Sequence, residues 1–295
     1  MNLEMVSDYR DNDYLRTSFN ELAGKVFGID FERWYQLGFW DDRYICHSFA
    51  HHGRIIANVS VSKMDMILEG KRIKTAQIGT VMTHPDYRKK GLAENLMHTV
   101  LAEHEKKVDL FFLFANKDAV GFYPRFGFTP VKETRFYADL AYDCNSNGID
   151  RNVRKLNISD HNDISIIKRM VSGRAPLSAS FSVEQGTGIL GWHCLNVFPD
   201  DVYYMEAIDS IAIHHVQDRT LHLYDVICSG RPDYLKIAAA SVTSGVDRIL
   251  FYFTPDPGNI QIKTMQYDTE DYVFFCKSAT VGLKGEFFYP YTAHA

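Results

Sequence analysis

The segment that most constrains this chain runs Val81-Met82-Thr83-His84-Pro85-Asp86-Tyr87-Arg88-Lys89-Lys90-Gly91-Leu92-Ala93. Ile73 to Thr83 reads as a strand, and beyond the loop Leu92, Leu96, Val100 and His104 recur every fourth residue, which predicts a helix. A strand that feeds a loop with a glycine and three cations, with a helix following at once, gathers unpaired N–H groups and the positive helix end at one spot. Gly91 permits close backbone approach there, as a pyrophosphate requires, and Arg88, Lys89 and Lys90 add charge at the rim. A lone Arg-x-x-Gly is equally the sequence of a solvated turn, so the surrounding elements have to decide.

Those elements form an ordered series. Tyr14–Phe27 and Asp30–Leu37 have helical apolar spacing and end at Gly28 and Gly38. Arg43–Ala50 reads as a strand that turns at His52-Gly53 into a second one, where Ala57, Val59 and Val61 alternate with Asn58, Ser60 and Ser62. After the predicted helix come an apolar strand at Val108–Phe114, a short helix or loop at Asn116–Phe126, and a strand at Gly127–Tyr137. Asp143–Asn152 has linker composition. The second half then repeats the succession of hairpin, loop, helix and apolar strand: Ile211–Val216, Leu221–Cys228, a helix from Pro232, and Arg248–Phe253, with Tyr272–Lys277 as a later strand. At the place of the basic loop it has Cys228-Ser229-Gly230-Arg231-Pro232, and Pro232 lacks one of the N–H groups a phosphate cradle would use. The expected organisation is a first domain over 1–142, a linker over 143–152 and a second, degenerate copy over 153–295.

Composition excludes several classes. At 295 residues the chain has room for two domains. Its 32 basic and 37 acidic residues give a net charge of −5, which argues against a nucleic-acid partner held by phosphate contacts. No stretch approaches the roughly 20 apolar residues of a membrane span, and Met1–Asp13 has no apolar signal region. Cys46, Cys144, Cys194, Cys228 and Cys276 are odd in number and form no CxxC pair, so reduced thiols in the cytoplasm are expected, with no metal site. His51-His52 and His214-His215 are adjacent pairs whose members point to opposite faces of a strand.

The segment Arg88-Lys89-Lys90-Gly91-Leu92-Ala93 resembles the acetyl-CoA loop of the GNAT superfamily of N-acetyltransferases, Gln/Arg-x-x-Gly-x-Gly/Ala. Asn116, Ala119, Phe122-Tyr123 and Gly127-Phe128 resemble the downstream half of the same signature, and the two together cover most of residues 14–138 in the family's order. The resemblance implies an α/β GNAT fold, a central mixed and mostly antiparallel sheet flanked by helices, followed by a second GNAT-like domain that shapes the acceptor cleft. It implies acetyl-CoA as donor: Val81, Met82 and Thr83 would pair with the pantetheine arm, amides from Arg88, Lys89, Lys90, Gly91, Leu92 and Ala93 would bind the pyrophosphate, and Asn116 would approach the cofactor.

Transfer to an amine then needs a proton acceptor, an oxyanion donor and an acid for the thiolate. The resemblance places Tyr123 as the acid and a backbone N–H near Met82 or Thr83 at the oxyanion. Where some members carry a glutamate eleven positions before the Arg/Gln, this chain has Gln77, which is no base but would orient a water. Asp41, Asp42, Glu32 and His84 are further candidates for the base. Tandem aminoglycoside acetyltransferases of the enhanced-intracellular-survival type are similar in architecture and bring a terminal carboxylate into the site. Here Tyr289-Pro290-Tyr291-Thr292-Ala293-His294-Ala295 would present Ala295 or His294, or fray. Trp34, Phe39, Trp40, Asp41 and Asp42 combine aromatic faces with carboxylates and are read either as the binding site for a cationic amine or as packing. The expected activity is N-acetylation of a small-molecule or peptide amine, with homo-oligomer formation left open. A non-catalytic acyl-CoA sensor remains the alternative, and an aminoacyl-tRNA-dependent transferase is disfavoured by the loop and the acidic balance.

Overall fold

The computed structural model describes residues 2–140, 152–184, 186–241 and 246–295. The expected linker lies outside these residues except for Asn152, as does Cys144. In chain order the first half contains β1 (Glu4–Ser7), α1 (Asp13–Phe27), α2 (Glu32–Gln36), β2 (Tyr44–His51), β3 (Arg54–Leu68), β4 (Lys71–Thr83), α3 (Leu92–His104), β5 (Leu110–Ala115), β6 (Thr129–Pro130) and β7 (Thr134–Asp139). The second contains β8 (Val153–Lys155), α4 (His161–Ser172), β9 (Phe181–Glu184), α5 (Gly188–Asn196), β10 (Val202–Met205), β11 (Ser210–Gln217), β12 (Thr220–Ile227), α6 (Tyr234–Ser241), β13 (Arg248–Phe251), β14 (Lys263–Gln266) and β15 (Val273–Lys277).

Local signals set several of these boundaries. The Asn12 side chain accepts from the Leu15 N–H at 3.1 Å and starts α1, and Gly28, left-handed at φ 71°, ends it. Leu92, Leu96, Met97, Val100 and Leu101 give α3 an apolar face that packs on Val59, Val61, Ala76, Ile78, Phe111 and Leu113 of the sheet.

Two mixed sheets result. The first has the order β1-β2-β3-β4-β5-β15-β6 with β9 on the far end of β3, and the second β14-β7-β13-β12-β11-β10-β8. Each contains one parallel pair, β4 with β5 and β12 with β13, and all other pairings are antiparallel. The structure departs from contiguous halves here. The strand expected over Gly127–Tyr137 breaks into β6 and β7, and β7 leaves to sit between β14 and β13 of the second sheet. In return β15 enters the first sheet between β5 and β6. Pro130 has no N–H for a longer ladder in β6, and Val131 N–H then bonds Phe274 O (2.8 Å) while Thr134 N–H bonds Phe287 O (2.8 Å).

Apolar clusters also cross the halves. Phe19, Phe31, Trp34, Phe39, Trp40 and Tyr44 are buried in one core with Leu190 and Cys194 of α5 and with Ile211, Ile213 and Ile227 of the second sheet. At about 1.5–3 kcal/mol for each large side chain fully buried, this seam is a major part of what holds the sheets together. Cys46, Cys194, Cys228 and Cys276 are all buried and unpaired.

Candidate active site

The parallel pairing of β4 with β5 covers only Thr75–Gln77 against Leu110–Phe112. Beyond it β4 continues to Thr83 and β5 to Ala115, and the two diverge into a V whose inner edges carry backbone groups unused by that ladder. A bulge shapes the β4 arm: the β3–β4 register shifts between Asn58 and Ser60, and Thr80 is left-handed at φ 47°. Buried Asn58 donates from Nδ2 to Thr80 O (2.9 Å), and Tyr44 OH shares a hydrogen bond with Thr80 Oγ1 (2.7 Å), so the bulge is held from two sides.

Two hollows lie along this arm. One of about 190 Å³ is lined by Thr83, Tyr87, Arg88, Lys89, Gly91, Leu92, Ala93, Glu94 and Phe122. Lys89 (φ 61°) and Gly91 (φ 74°) are left-handed, and Gly91 caps α3 without a side chain. A Cβ at Gly91 would meet nothing within 4 Å, so the N-terminus of α3 opens onto free space, as an anion-binding turn requires. Arg88 Nε donates to Thr83 O (3.3 Å) and Lys90 Nζ to Asp86 O (3.1 Å), the latter lying over the Tyr87 ring. These two cations thus brace the loop as well as charging it.

The other hollow, about 340 Å³, is bordered by Phe27, Ile29, Ile78, Gly79, Thr80, Val81, Phe114, Asn116, Ala119, Tyr123 and Ala295. Tyr123 is buried, and its ring packs on Phe128 and on Phe275 of β15. Its hydroxyl has no hydrogen-bond partner among the described residues, and burial pushes its pKa up to about 12. It is therefore a neutral phenol with a proton to give. The Asn116 side-chain oxygen is spent on the Ala119 N–H (3.1 Å), capping a short turn, so the side chain shapes the rim of the hollow.

The last residues are ordered within the V. His294 stacks on Phe114 with ring centroids 3.8 Å apart, and a Cβ on Gly79 would lie 3.4 Å from Ala295 C, O and Cβ. With its amide oriented by its partners, Gln77 donates from Nε2 to Ala293 O (2.9 Å) and accepts at Oε1 from Ala295 N (2.7 Å). His193, its pKa lowered by burial to about 4, donates from Nε2 to His294 O (2.8 Å), and Tyr289 OH donates to Ala293 O (3.1 Å). Thr292 Oγ1 donates to Asp225 (2.7 Å), which is buried and paired with Arg174 (2.7 Å). Sequence reasoning found the tail but missed His193, Asp225 and Arg174, which lie 60 to 120 residues away with no local motif.

The acceptor candidates fall in two surroundings, the aromatic rings in a buried seam and the carboxylates beside it. Trp34, Phe39 and Trp40 are buried in the seam: Trp34 Nε1 donates to Gly188 O (2.8 Å), Trp40 Nε1 to Tyr44 O (3.1 Å), and Phe39 fills the space that a Cβ on Gly191 would enter at 2.4 Å. Asp41 accepts from Arg43 N (2.9 Å), and Asp42 borders a separate hollow with Lys63, Lys74 and Lys107. Of the other bases considered, Glu32 pairs with Arg16 (2.9 Å) and His84 with Lys25 (2.9 Å), and neither borders the V.

Residues 12–131 match the family model of the acetyltransferase (GNAT) domain. Over that segment the chain is similar to a GNAT domain. Over 94% of its length it is similar in fold to a probable N-acyltransferase from Enterococcus faecalis (TM-score 0.58, 15% identity, 72% of that chain). It is likewise similar to a GCN5-related N-acetyltransferase from Kribbella flavida (TM-score 0.55, 15% identity, 94% of this chain, 72% of that one). The third is Eis1 from Mycobacterium abscessus (TM-score 0.56, 15% identity, 92% of this chain and 72% of that one). No curated protein sequence matches. GNAT domains catalyse acyl transfer with acyl-CoA as cosubstrate, and the two mixed sheets agree with a tandem GNAT architecture. No helix among the described residues is long and apolar enough to cross a membrane.

Proposed function

We propose that this GNAT protein is an acetyl-CoA-dependent N-acetyltransferase in which a primary amine attacks the thioester directly in a ternary complex. The observation that carries the reading is the convergence of the open V, the neutral Tyr123 phenol and the docked Ala295 on one hollow of about 340 Å³. The loop amides of residues 88–93 hold the pyrophosphate against the N-terminus of α3, and the free edge of β4 from Val81 to Thr83 pairs with the pantetheine arm like an added strand. A backbone N–H near Met82 or Thr83 stabilises the oxyanion, and Tyr123 gives its proton to the departing thiolate.

No acidic side chain borders the hollow among the described residues. Ala295 lies at this hollow, and the proposal gives the proton of the attacking ammonium to an α-carboxylate there, a role that requires Ala295 to carry a free carboxylate. Gln77 is then a positioning residue: both ends of its amide hold the tail, in place of the bridging water expected for it. The 153–295 region, with Asp225, Arg174 and His193, anchors that tail and shapes the cleft. A cytoplasmic setting is part of the reading, supported by the four buried unpaired cysteines.

Acetyl-CoA offered with polyamines, aminoglycosides, amino acids and peptides, with release of CoA thiol as the readout, tests the proposal. At least one amine should give turnover, and Tyr123→Phe should lower kcat by roughly 10- to 100-fold with acetyl-CoA affinity unchanged. Binding of CoA with no release from any amine would make the protein a sensor of acyl-CoA. Full activity in Tyr123→Phe would remove that residue from the mechanism.

A further inference from the structure

On the flank of the first sheet, away from the V, β2 and the C-terminal turn of α3 bring His47, Glu103 and His104 together. One ligand atom from each lies within 4.8 Å of the other two. His47 Nδ1 is 3.7 Å from Glu103 Oε2, and His104 Nε2 is 3.8 Å from Glu103 Oε1. The two imidazoles meet edge to face with centroids 5.6 Å apart. His47 is only 1% exposed and His104 only 2%, yet both ring nitrogens of His47 and Nε2 of His104 are buried without a hydrogen-bond partner.

Buried polar nitrogens are normally satisfied, and two orphaned imidazoles aimed at one half-exposed carboxylate call for a common ligand. We propose that His47, Glu103 and His104 form a binding site for one divalent ion of the zinc class, which cross-links β2 to the end of α3. Two imidazoles and a carboxylate are a zinc-type donor set that leaves a fourth position for water. A tetrahedral ion with bonds of about 2.0–2.1 Å holds neighbouring donor atoms about 3.3 Å apart, so three donor atoms within 4.8 Å of one another have to close by up to about 1.5 Å, with the two histidine contacts now made to different oxygens of Glu103. Glu103 is on the solvent side and can make that movement.

The surrounding charges are mixed: Asp8 and Glu103 favour a cation, and Lys63 and Lys107 oppose it. Lys107 is 3.5 Å from Glu103 in an exposed pair four residues apart, a contact that costs little to give up. A hollow of about 290 Å³ bordered by His104, Lys107, Lys63 and Thr75 gives the ion a route in. The site is separate from the residues assigned to acyl transfer and does not depend on that reading.

Zinc chloride titrated calorimetrically into the full chain, after stripping with a chelator, tests this, with cobalt(II) absorption as a second readout. The expected result is one zinc per chain, a raised Tm, and a cobalt(II) visible band of four- or five-coordinate type. Glu103→Gln, at a half-exposed position where folding is not at stake, should weaken zinc at least tenfold and abolish the band, and His104→Gln should do the same. Absence of one-to-one binding to the wild type overturns the proposal. So do variants that bind as tightly as wild type, since the ion would then sit elsewhere, for instance at His51-His52.

Discussion

The two sheets use one topological device to different ends. In the first, β4 and β5 part after Gln77 and Phe112, and the arm of β4 leads into a loop with left-handed Lys89 and Gly91. In the second, β12 and β13 pair from Thr220 and Arg248 to Leu223 and Phe251, and β12 then runs on to Ile227. The loop that follows has no left-handed residue from Cys228 to Tyr234, and Asp233 puts its own carboxylate on the Lys236 N–H (3.1 Å) at the start of α6. An anion supplied by the chain thus stands where a phosphate would bind. The second V is filled as well: Tyr291 N–H bonds Tyr252 O (2.9 Å) and Thr292 bonds Asp225, and three residues later the same tail lies in the first V. A parallel pair that splays makes a cleft, and the loop conformation and the cleft's occupant decide whether a cofactor can use it.

Gly91→Glu should break the contrast most sharply. It forces a side chain into the left-handed region and adds an anion at the helix end, so acetyl-CoA affinity measured by calorimetry should fall about a thousandfold. Gly230→Glu, in the matching loop of the second half, should leave it within twofold. Equal losses would mean that the second loop binds the cofactor too.

The tail gives the next largest effect. A chain stopping after Thr292 keeps the Asp225 contact and loses the residues in the first V, so turnover should fall about a hundredfold with acetyl-CoA affinity intact. Asp225→Asn, which loosens the anchor from the second sheet, should cost roughly tenfold. A truncated protein that keeps full turnover would show that the second V holds the tail for packing alone.

The loop and helix of the first half were legible because their signal is local: charge, glycine and a 3.6-residue period within 25 residues. The exchange of β7 and β15 was not. Phe274, Phe275 and Cys276 have the apolar character of a core strand whichever sheet receives them, and the choice depends on partners more than 150 residues distant. The aromatic cluster was legible as aromatic, with packing and a binding site both open; what decides for packing is the cover of α5, where Gly191 makes room for the Phe39 ring and Gly188 O accepts from Trp34. Two glycines three apart in an apolar helix were the signal that something bulky lies against it.

Where the sheets exchange strands, Glu133 ties them. It accepts from Tyr289 N–H (2.8 Å) and Tyr272 OH (3.0 Å), and burial outweighs both donors and pushes its pKa up to about 7. Above pH about 4.5 the unfolded chain releases this proton while the folded protein keeps it, so stability from this group is complete at low pH and declines as pH rises through 7. Buried His193 has the opposite sign, because its folded pKa is lowered, and it is common to wild type and variant. The difference between wild type and Glu133→Gln in urea unfolding should therefore shift by about 2 kcal/mol from pH 5 to pH 8. No shift would mean that the joint between the sheets is not dry enough to perturb a carboxyl group.

The smallest expected effect separates the cleft from the seam. Asp42 borders a hollow shared with three lysines, and Phe27 stands at the mouth of the V, exposed and apolar. On the proposed function, an amine reaching the V passes Phe27 and does not meet Asp42, which borders the other hollow. Asp42→Asn should change the KM for the amine less than twofold, whereas Phe27→Ala should raise it several-fold at constant acetyl-CoA affinity. A tenfold rise from Asp42→Asn with Phe27→Ala silent would return the acceptor to the carboxylates beside the aromatic seam, and the V would then serve the donor alone.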